Sequence, residues 1–198
     1  MSSTPTDPLH PVDREITQAK IAFTRVMFSR DDDTTYMGFS ALVVAVEKAF
    51  QKLAILTKGE PKTKVLMDRA RRDRKQDELL NYVKQVRHAD SHTARDLASR
   101  SDGRITILAG EPVLIKGMNF DEFGQLIEVI HDPAYAEPRV RAKPPGFYLE
   151  PVVNRGNHYM PPKSHLGKEI DGFEVLVVGF YTLYYYRKLV EDVRNALQ

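Results

Sequence analysis

Apolar residues recur at three- and four-residue spacing from Val12 to about Phe28, at Ile16, Ala19, Ile21, Ala22, Phe23, Val26 and Met27, the period of a helix with one buried face. The polar run Asp31-Asp-Asp-Thr-Thr35 interrupts it, and Thr34 or Thr35 is a candidate cap for a second helix from about Tyr36 to Leu56. Phe39–Val46 is apolar nearly all round, so this helix is expected to be covered on several sides. Gly59 and Pro61 mark its end. A third helix is expected from Pro61 to about Ala70, with Val65 and Leu66 on its apolar side, followed by a charged run. Asp77 reads as the cap of a fourth, Glu78 to about Leu97, whose buried stripe is Leu79, Leu80, Val83 and Val86.

After a turn at Ser99–Gly103 the period changes. Arg104–Ala109 and Val113–Lys116 are rich in β-branched residues and are separated by Gly110-Glu-Pro112, which predicts a hairpin or two short strands. Phe120–Ile130 fits either element. Prolines 133, 138, 144, 145, 151, 161 and 162 predict an irregular wrapped segment with one strand at Phe147–Val153. A last helix runs from near Asp171 to about Ala196, with Val175, Val178, Leu183, Tyr186, Leu189, Val190 and Val193 along it. The expected architecture is therefore mainly α. A proline-rich leader covers residues 1–11, one helical domain covers 12–198, and a β-containing insertion at about 103–165 precedes the last helix.

Composition narrows the chemistry. The 198 residues hold 29 Lys+Arg against 27 Asp+Glu, too balanced for a chain that is basic throughout. The absence of Cys excludes a disulfide framework, Cys-ligated zinc, an iron–sulfur cluster and a thiol nucleophile. It also suits a reducing compartment. Phe173–Tyr186 is apolar but contains Glu174 and is shorter than the roughly 18–20 residues a membrane span needs. A cytoplasmic protein with no membrane partner is the expectation. No GxxxxGK[ST], GxGxxG, HExxH or GxSxG pattern occurs, so P-loop, dinucleotide, zincin and serine-esterase chemistry lack their usual support. No cofactor is implied.

The segment with most chemistry in it is Leu79–His92, ending Arg87-His-Ala-Asp-Ser-His92. Arg87 follows Val83 by one turn, at the edge of the apolar stripe, where a guanidinium can emerge beside a cleft and grip a phosphate. His92 titrates near neutrality and can move protons. Asp90 and His88 are placed to orient the pair. The bland alternative is an Arg87–Asp90 ion pair with His92 as a solvated helix-end cation. Spacing alone also permits a metal site of His88, His92 and Asp96, although a solvated face is commoner. Upstream, Arg69, Arg71, Arg72, Arg74 and Lys75 form a basic run that could meet an RNA backbone, or equally be salt-bridged by Asp68, Asp73 and Asp77. Tyr181 and Tyr184–Tyr186 fit a core or dimer interface better than a stacking platform. His158 and His165, beside the Asn154-Arg-Gly156 and His165-Leu-Gly167 turns that flank Pro161-Pro162, could face the cleft and assist, but a structural role for the stretch is favoured.

Arg87-His-Ala-Asp-Ser-His92 resembles the Arg-polar-x3-His motif of the HEPN superfamily. Residues Asp77–His92 resemble its motif helix, and Val153–Gly167 followed by an apolar helix is similar to uncharacterised bacterial proteins of this kind. The resemblance implies a helical bundle that forms a homodimer with two Arg/His pairs at a shared cleft. It implies either a metal-independent endoribonuclease of toxin–antitoxin or antiphage type, with RNA as substrate and an antitoxin or other protein as partner, or a non-catalytic HEPN-like dimer that binds nucleic acid, a nucleotide or a protein. The β-containing insertion departs from the minimal bundle.

Overall fold

The computed structural model describes residues 7–29, 31–88, 97–121, 126–143, 145–170 and 174–198. Among the described residues five helices dominate: α1 (His10–Phe28), α2 (Asp32–Leu56), α3 (Pro61–Gln76), α4 (Glu78–His88) and α5 (Val175–Leu197). Ten described strands, each of six residues or fewer, lie between α4 and α5, and with most of the described residues in helices the fold is mainly α, as the periodicity predicts. The chain divides into two compact units, Met1–Ser99 with Leu149–Gln198, and Arg100–Tyr148. Residues 149–165, counted with the insertion from sequence, therefore lie in the helical unit.

Within the helical unit, α1 and α2 are joined by three residues and pack antiparallel. The cap between them is Asp31 rather than Thr34 or Thr35: its carboxylate accepts the Thr34 N–H at 2.7 Å, and both threonines sit in the first helical turn. His10 and Pro11, assigned to the leader from sequence, open α1, where Pro11 lacks an N–H that the first turn cannot satisfy anyway. Close approach of the helices needs Gly38. A Cβ there would stand 2.8 Å from Val26 Cγ2. The apolar helix α5 covers this hairpin, with Gly179 against Phe23 and Leu42. Its expected stripe, Val175, Val178, Leu183, Tyr186, Leu189, Val190 and Val193, is buried.

Helix α3 continues through the charged run to Gln76, and its inward face differs from the expected one. Thr63, Met67, Ala70 and Arg74 are buried, whereas Val65 is 77% exposed. Thr63, Met67, Ala70 and Arg74 recur at steps of four, three and four residues, which follows the helical period as well as Val65–Leu66 does. The neighbours α2 and α5 select that face, because Glu47 is there to receive Arg74. On α4, Leu79, Leu80, Val83 and Val86 are buried as expected, and so is Tyr82, whose hydroxyl donates to the Glu150 carbonyl at 2.6 Å.

Two tight hairpins belong to this unit: β7 (Val152–Asn154) with β8 (Asn157–Tyr159), and β9 (Ser164–His165) with β10 (Lys168–Glu169). Each turns through a residue–glycine pair with positive φ, Arg155-Gly156 at 51° and 77° and Leu166-Gly167 at 50° and 77°. Glycine is needed there because the second turn position is left-handed.

In the other unit the two-strand alternative holds and the hairpin does not. β2 (Arg104–Leu108) and β3 (Ile115–Phe120) are both strands, but they do not form a hairpin together. β2 pairs antiparallel with β5 (Arg139–Lys143), and β3 pairs with β4 (Leu126–His131). Residues 99–101, expected as part of the Ser99–Gly103 turn, belong to β1 (Ala98–Ser101), which pairs with β6 (Gly146–Leu149). Short β-branched runs announce strands but carry no label for their partner, so the longer-range pairing of β2 with β5 is invisible locally. Among the described residues of this unit only Tyr148 is buried.

Candidate functional site

Helix α4 organises the candidate site. At its N-terminus, Asp77 caps the helix: Oδ1 accepts the Leu80 N–H at 2.8 Å. The same carboxylate holds the β9–β10 hairpin. Oδ2 accepts the Leu166 N–H at 2.6 Å, and Nδ1 of buried His165 lies 3.1 Å from Oδ1. An ionised carboxylate only accepts, so the Nδ1 position carries the proton. Glu78 adds two acceptor contacts, taking the Lys163 and Ser164 N–H groups at 2.9 and 3.1 Å. Burial pushes the Asp77 carboxyl up, but the hydrogen bonds from His165, Leu166 and Leu80 outweigh it and hold the group below the usual carboxylate range. The His165 ring sits 5.8 and 5.9 Å from the rings of Tyr181 and Tyr185. His165 is thus a packed, hydrogen-bonded core residue, in line with the structural role favoured from sequence. His158 is exposed on β8.

At the opposite end of α4, Arg87 and His88 occupy the last turn and are exposed, while Val83 and Val86 on the preceding turn are buried. The helix C-terminus favours cations at this position. The guanidinium therefore leaves the edge of the buried stripe as the spacing implied. Asp90, His92 and Asp96 lie outside the described residues, and with them the remainder of the Arg–His motif and of the alternative metal set. Among the described residues no group of three or more His, Asp and Glu is arranged to hold a metal ion.

The basic run is divided by α3. Arg74 points inward: its Nη2 lies 2.6 and 2.8 Å from the two carboxylate oxygens of Glu47, and its Cζ lies 3.8 Å from the Phe50 ring centroid. It is occupied within the core, and a phosphate contact would require breaking that pair. Arg69 faces Asp73 at 3.7 Å and Arg71 faces Asp68 at 2.8 Å, the salt-bridging weighed from sequence. Arg72 and Lys75 are exposed and pair with no described carboxylate. Lys75 and Arg87 stand at opposite ends of α4. From Asp77 to Arg87 the helix rises about 15 Å, so the run and the motif are not brought to one spot.

Sequence reasoning did not single out Asp73 and Tyr185 as a pair. The Tyr185 hydroxyl donates to Asp73 Oδ2 at 3.1 Å. Burial, with the Asp73 carboxylate adding to it, raises the phenol well above its usual value. They border a cavity of about 90 Å³ that Arg69, Leu166 and Lys188 also line, room for a few waters. The four tyrosines have separate fates: Tyr186 is buried edge-on to Phe50, Tyr181 and Tyr185 flank His165, and Tyr184 is exposed and stacked on Phe180.

Among the described residues no helix is long and apolar enough to cross a membrane. No protein-family model matches the chain, and no curated protein or solved structure matches it significantly.

Proposed function

We propose that this chain is a HEPN-like protein acting on RNA as a metal-independent endoribonuclease of toxin or defence type. The observation that supports this most is the placement of Arg87, exposed with His88 at the end of a helix whose other face is locked into the core. A guanidinium on such a rigid support can meet the charge that develops on a pentacoordinate phosphorus. His92 takes the proton of a ribose 2′-OH as that oxygen attacks the adjacent phosphorus. The 5′-oxygen departs with a proton returned by the imidazolium, leaving a 2′,3′-cyclic phosphate and a 5′-hydroxyl. Asp90 and His88 orient the pair, and Arg72 and Lys75, exposed and paired with no described carboxylate, support the strand. The exposed α5 residues Leu176, Phe180 and Tyr184 supply apolar area for a homodimer.

The test is RNA integrity and growth on induced expression in a bacterial host, with wild type beside Arg87→Ala and His92→Ala, followed by cleavage by the purified protein in EDTA. Growth arrest with fragmented RNA only in the wild type, and cleavage that survives EDTA, is the expected result. Three equally harmless proteins, supplied with an antitoxin-free host, would leave the non-catalytic binding module as the reading. In that case charge reversal at Arg72 and Lys75, rather than loss of His92, should impair binding. A monomeric mass by light scattering at micromolar concentration would remove the homodimer.

A further inference from the structure

Helices α1 and α5 pack antiparallel: Arg194 reaches Asp13 near one end of the contact, and Gly179 meets Phe23 near the other. A cleft of about 360 Å³ runs along this seam. Ile16 on α1 and Val190 on α5, both buried, form its floor. Asp13 and Arg194 close one end, with Nη2 donating to the two carboxylate oxygens at 2.7 Å each. Tyr184 borders the cleft farther along α5, its ring stacked on Phe180 with 20° between the planes.

The charge lining the cleft is unbalanced. Lys20, Arg187, Lys188 and Arg194 face two carboxylates, Asp13 and Glu191. Asp13 is already taken by Arg194, and Lys188 leans on Asp192 at 3.7 Å. Lys20 and Arg187 are exposed and pair with no described carboxylate. The ordinary reasons for a surface cation do not cover these two. Both lie near the middle of their helices, away from the carbonyl ends that favour cations. Lys20 has no acid three or four positions away in either direction, and Arg187, four before Glu191, forms no ion pair with it. Cations converging from two helices over an apolar floor repel one another, and a dianion between them offsets that repulsion. Arg187 offers a planar fork for two phosphate oxygens, Lys20 a point charge from the facing helix, and Arg194 the N–H groups that Asp13 does not occupy.

We propose that the α1–α5 cleft is a binding site for a phosphomonoester, with the phosphate held between Lys20 and Arg187. The cleft falls within the size range of small-molecule sites and holds more than a phosphate alone, so it takes the group that carries the phosphate as well. That group rests on Ile16 and Val190 and against the Tyr184 ring, whose hydroxyl can donate to it. Glu191 opposes binding, because a carboxylate in the same cleft repels the ligand. The shared chemistry admits two sources, a small phosphorylated sugar and the 5′-phosphate end of a nucleic acid. Every lining residue comes from one chain, so the site is complete in a monomer. It holds whether or not Arg87 and His92 cleave RNA.

The experiment is calorimetric titration of the full chain, at fixed ionic strength, with ribose 5-phosphate beside ribose. A second arm uses a 2′-O-methyl RNA hexanucleotide with a 5′-phosphate beside the same strand with a 5′-hydroxyl, neither of which can be cut by 2′-OH attack. At least one phosphorylated probe should bind at one site per chain, and its counterpart without phosphate should bind at least about 10-fold more weakly. Arg187→Gln and Lys20→Gln should each weaken that binding by about 10-fold, the loss of one charge-assisted hydrogen bond. Glu191→Gln should tighten it, and Lys48→Gln, exposed on α2 outside the cleft, should leave it unchanged. All four positions are exposed, so the helical circular-dichroism signal of each variant should match wild type. Tighter binding of ribose 5-phosphate assigns the small molecule, and tighter binding of the phosphorylated strand assigns the nucleic-acid end. Failure of both phosphorylated probes to bind at millimolar concentration, equal binding of the probes with and without phosphate, or unchanged affinity in both Arg187→Gln and Lys20→Gln would each overturn the assignment.

Discussion

The pair Glu47–Arg74 offers the sharpest test of how the helical unit is held together. Both side chains are almost fully buried, at 3% and 7% exposure. One guanidinium nitrogen reaches both carboxylate oxygens, at 2.6 and 2.8 Å, and Phe50 covers the guanidinium face at 3.8 Å. A second guanidinium nitrogen, Nη1, and the nearby Tyr186 hydroxyl are buried without a hydrogen-bond partner among the described residues. Removing Glu47 alone, as Glu47→Met, strands a guanidinium that cannot shed its charge. Breaking a buried pair in this way costs about 3–5 kcal/mol. With an urea m-value of about 2 kcal/mol/M, the midpoint of helix unfolding at 222 nm should fall by about 2 M. Arg74→Met should cost a similar amount, because it leaves a buried carboxylate. The double variant Glu47→Met/Arg74→Met should recover most of the loss, since it removes both desolvated charges and the unsatisfied Nη1 together. Urea titrations of the four proteins form a complete cycle. A loss under about 1 kcal/mol in either single variant, or strictly additive losses in the double, would refute the reasoning. It would also return Arg74 to the set of cations able to meet RNA.

Two further predictions follow from particular contacts. The Asp77 carboxyl titrates below its unfolded value of about 3.9, so its contribution is fully present above that pH and is lost as pH falls through the lower folded value. Asp77→Asn should cost about 2 kcal/mol at neutral pH through weakened bonds to His165, Leu166 and Leu80. The gap from wild type should narrow in denaturation curves taken below pH 4, and a gap that stays constant there would contradict the linkage. Gly38→Ala should destabilise by about 1 kcal/mol net. The helix-propensity gain of about 1 kcal/mol is outweighed by overpacking of the new Cβ against Val26, and a higher thermal midpoint would show that the α1–α2 contact yields instead.

The ends of α3 and α4 were not legible in the sequence, whereas the order of the five helices, the Asp77 cap, the buried stripes of α4 and α5 and the strand character of residues 104–108 were. Each depends on neighbours within a few positions, which a 3.6- or 2-residue period records. The exposure of Arg87 at the end of α4 was legible for the same reason. What only the tertiary structure decided involves partners distant along the chain. Two faces of α3 satisfy the helical period, and Glu47, 27 residues earlier, selects the one that buries Arg74 and exposes Val65. Asp77 and His165 are 88 residues apart, so the sequence places each beside a helix start or a glycine turn without joining them. β2 pairs with β5 across the intervening β3–β4 hairpin, which no local pattern announces. Local pattern states which residues can share a face. Which face is covered, and by what, is settled by packing between segments whose separation leaves no periodic trace.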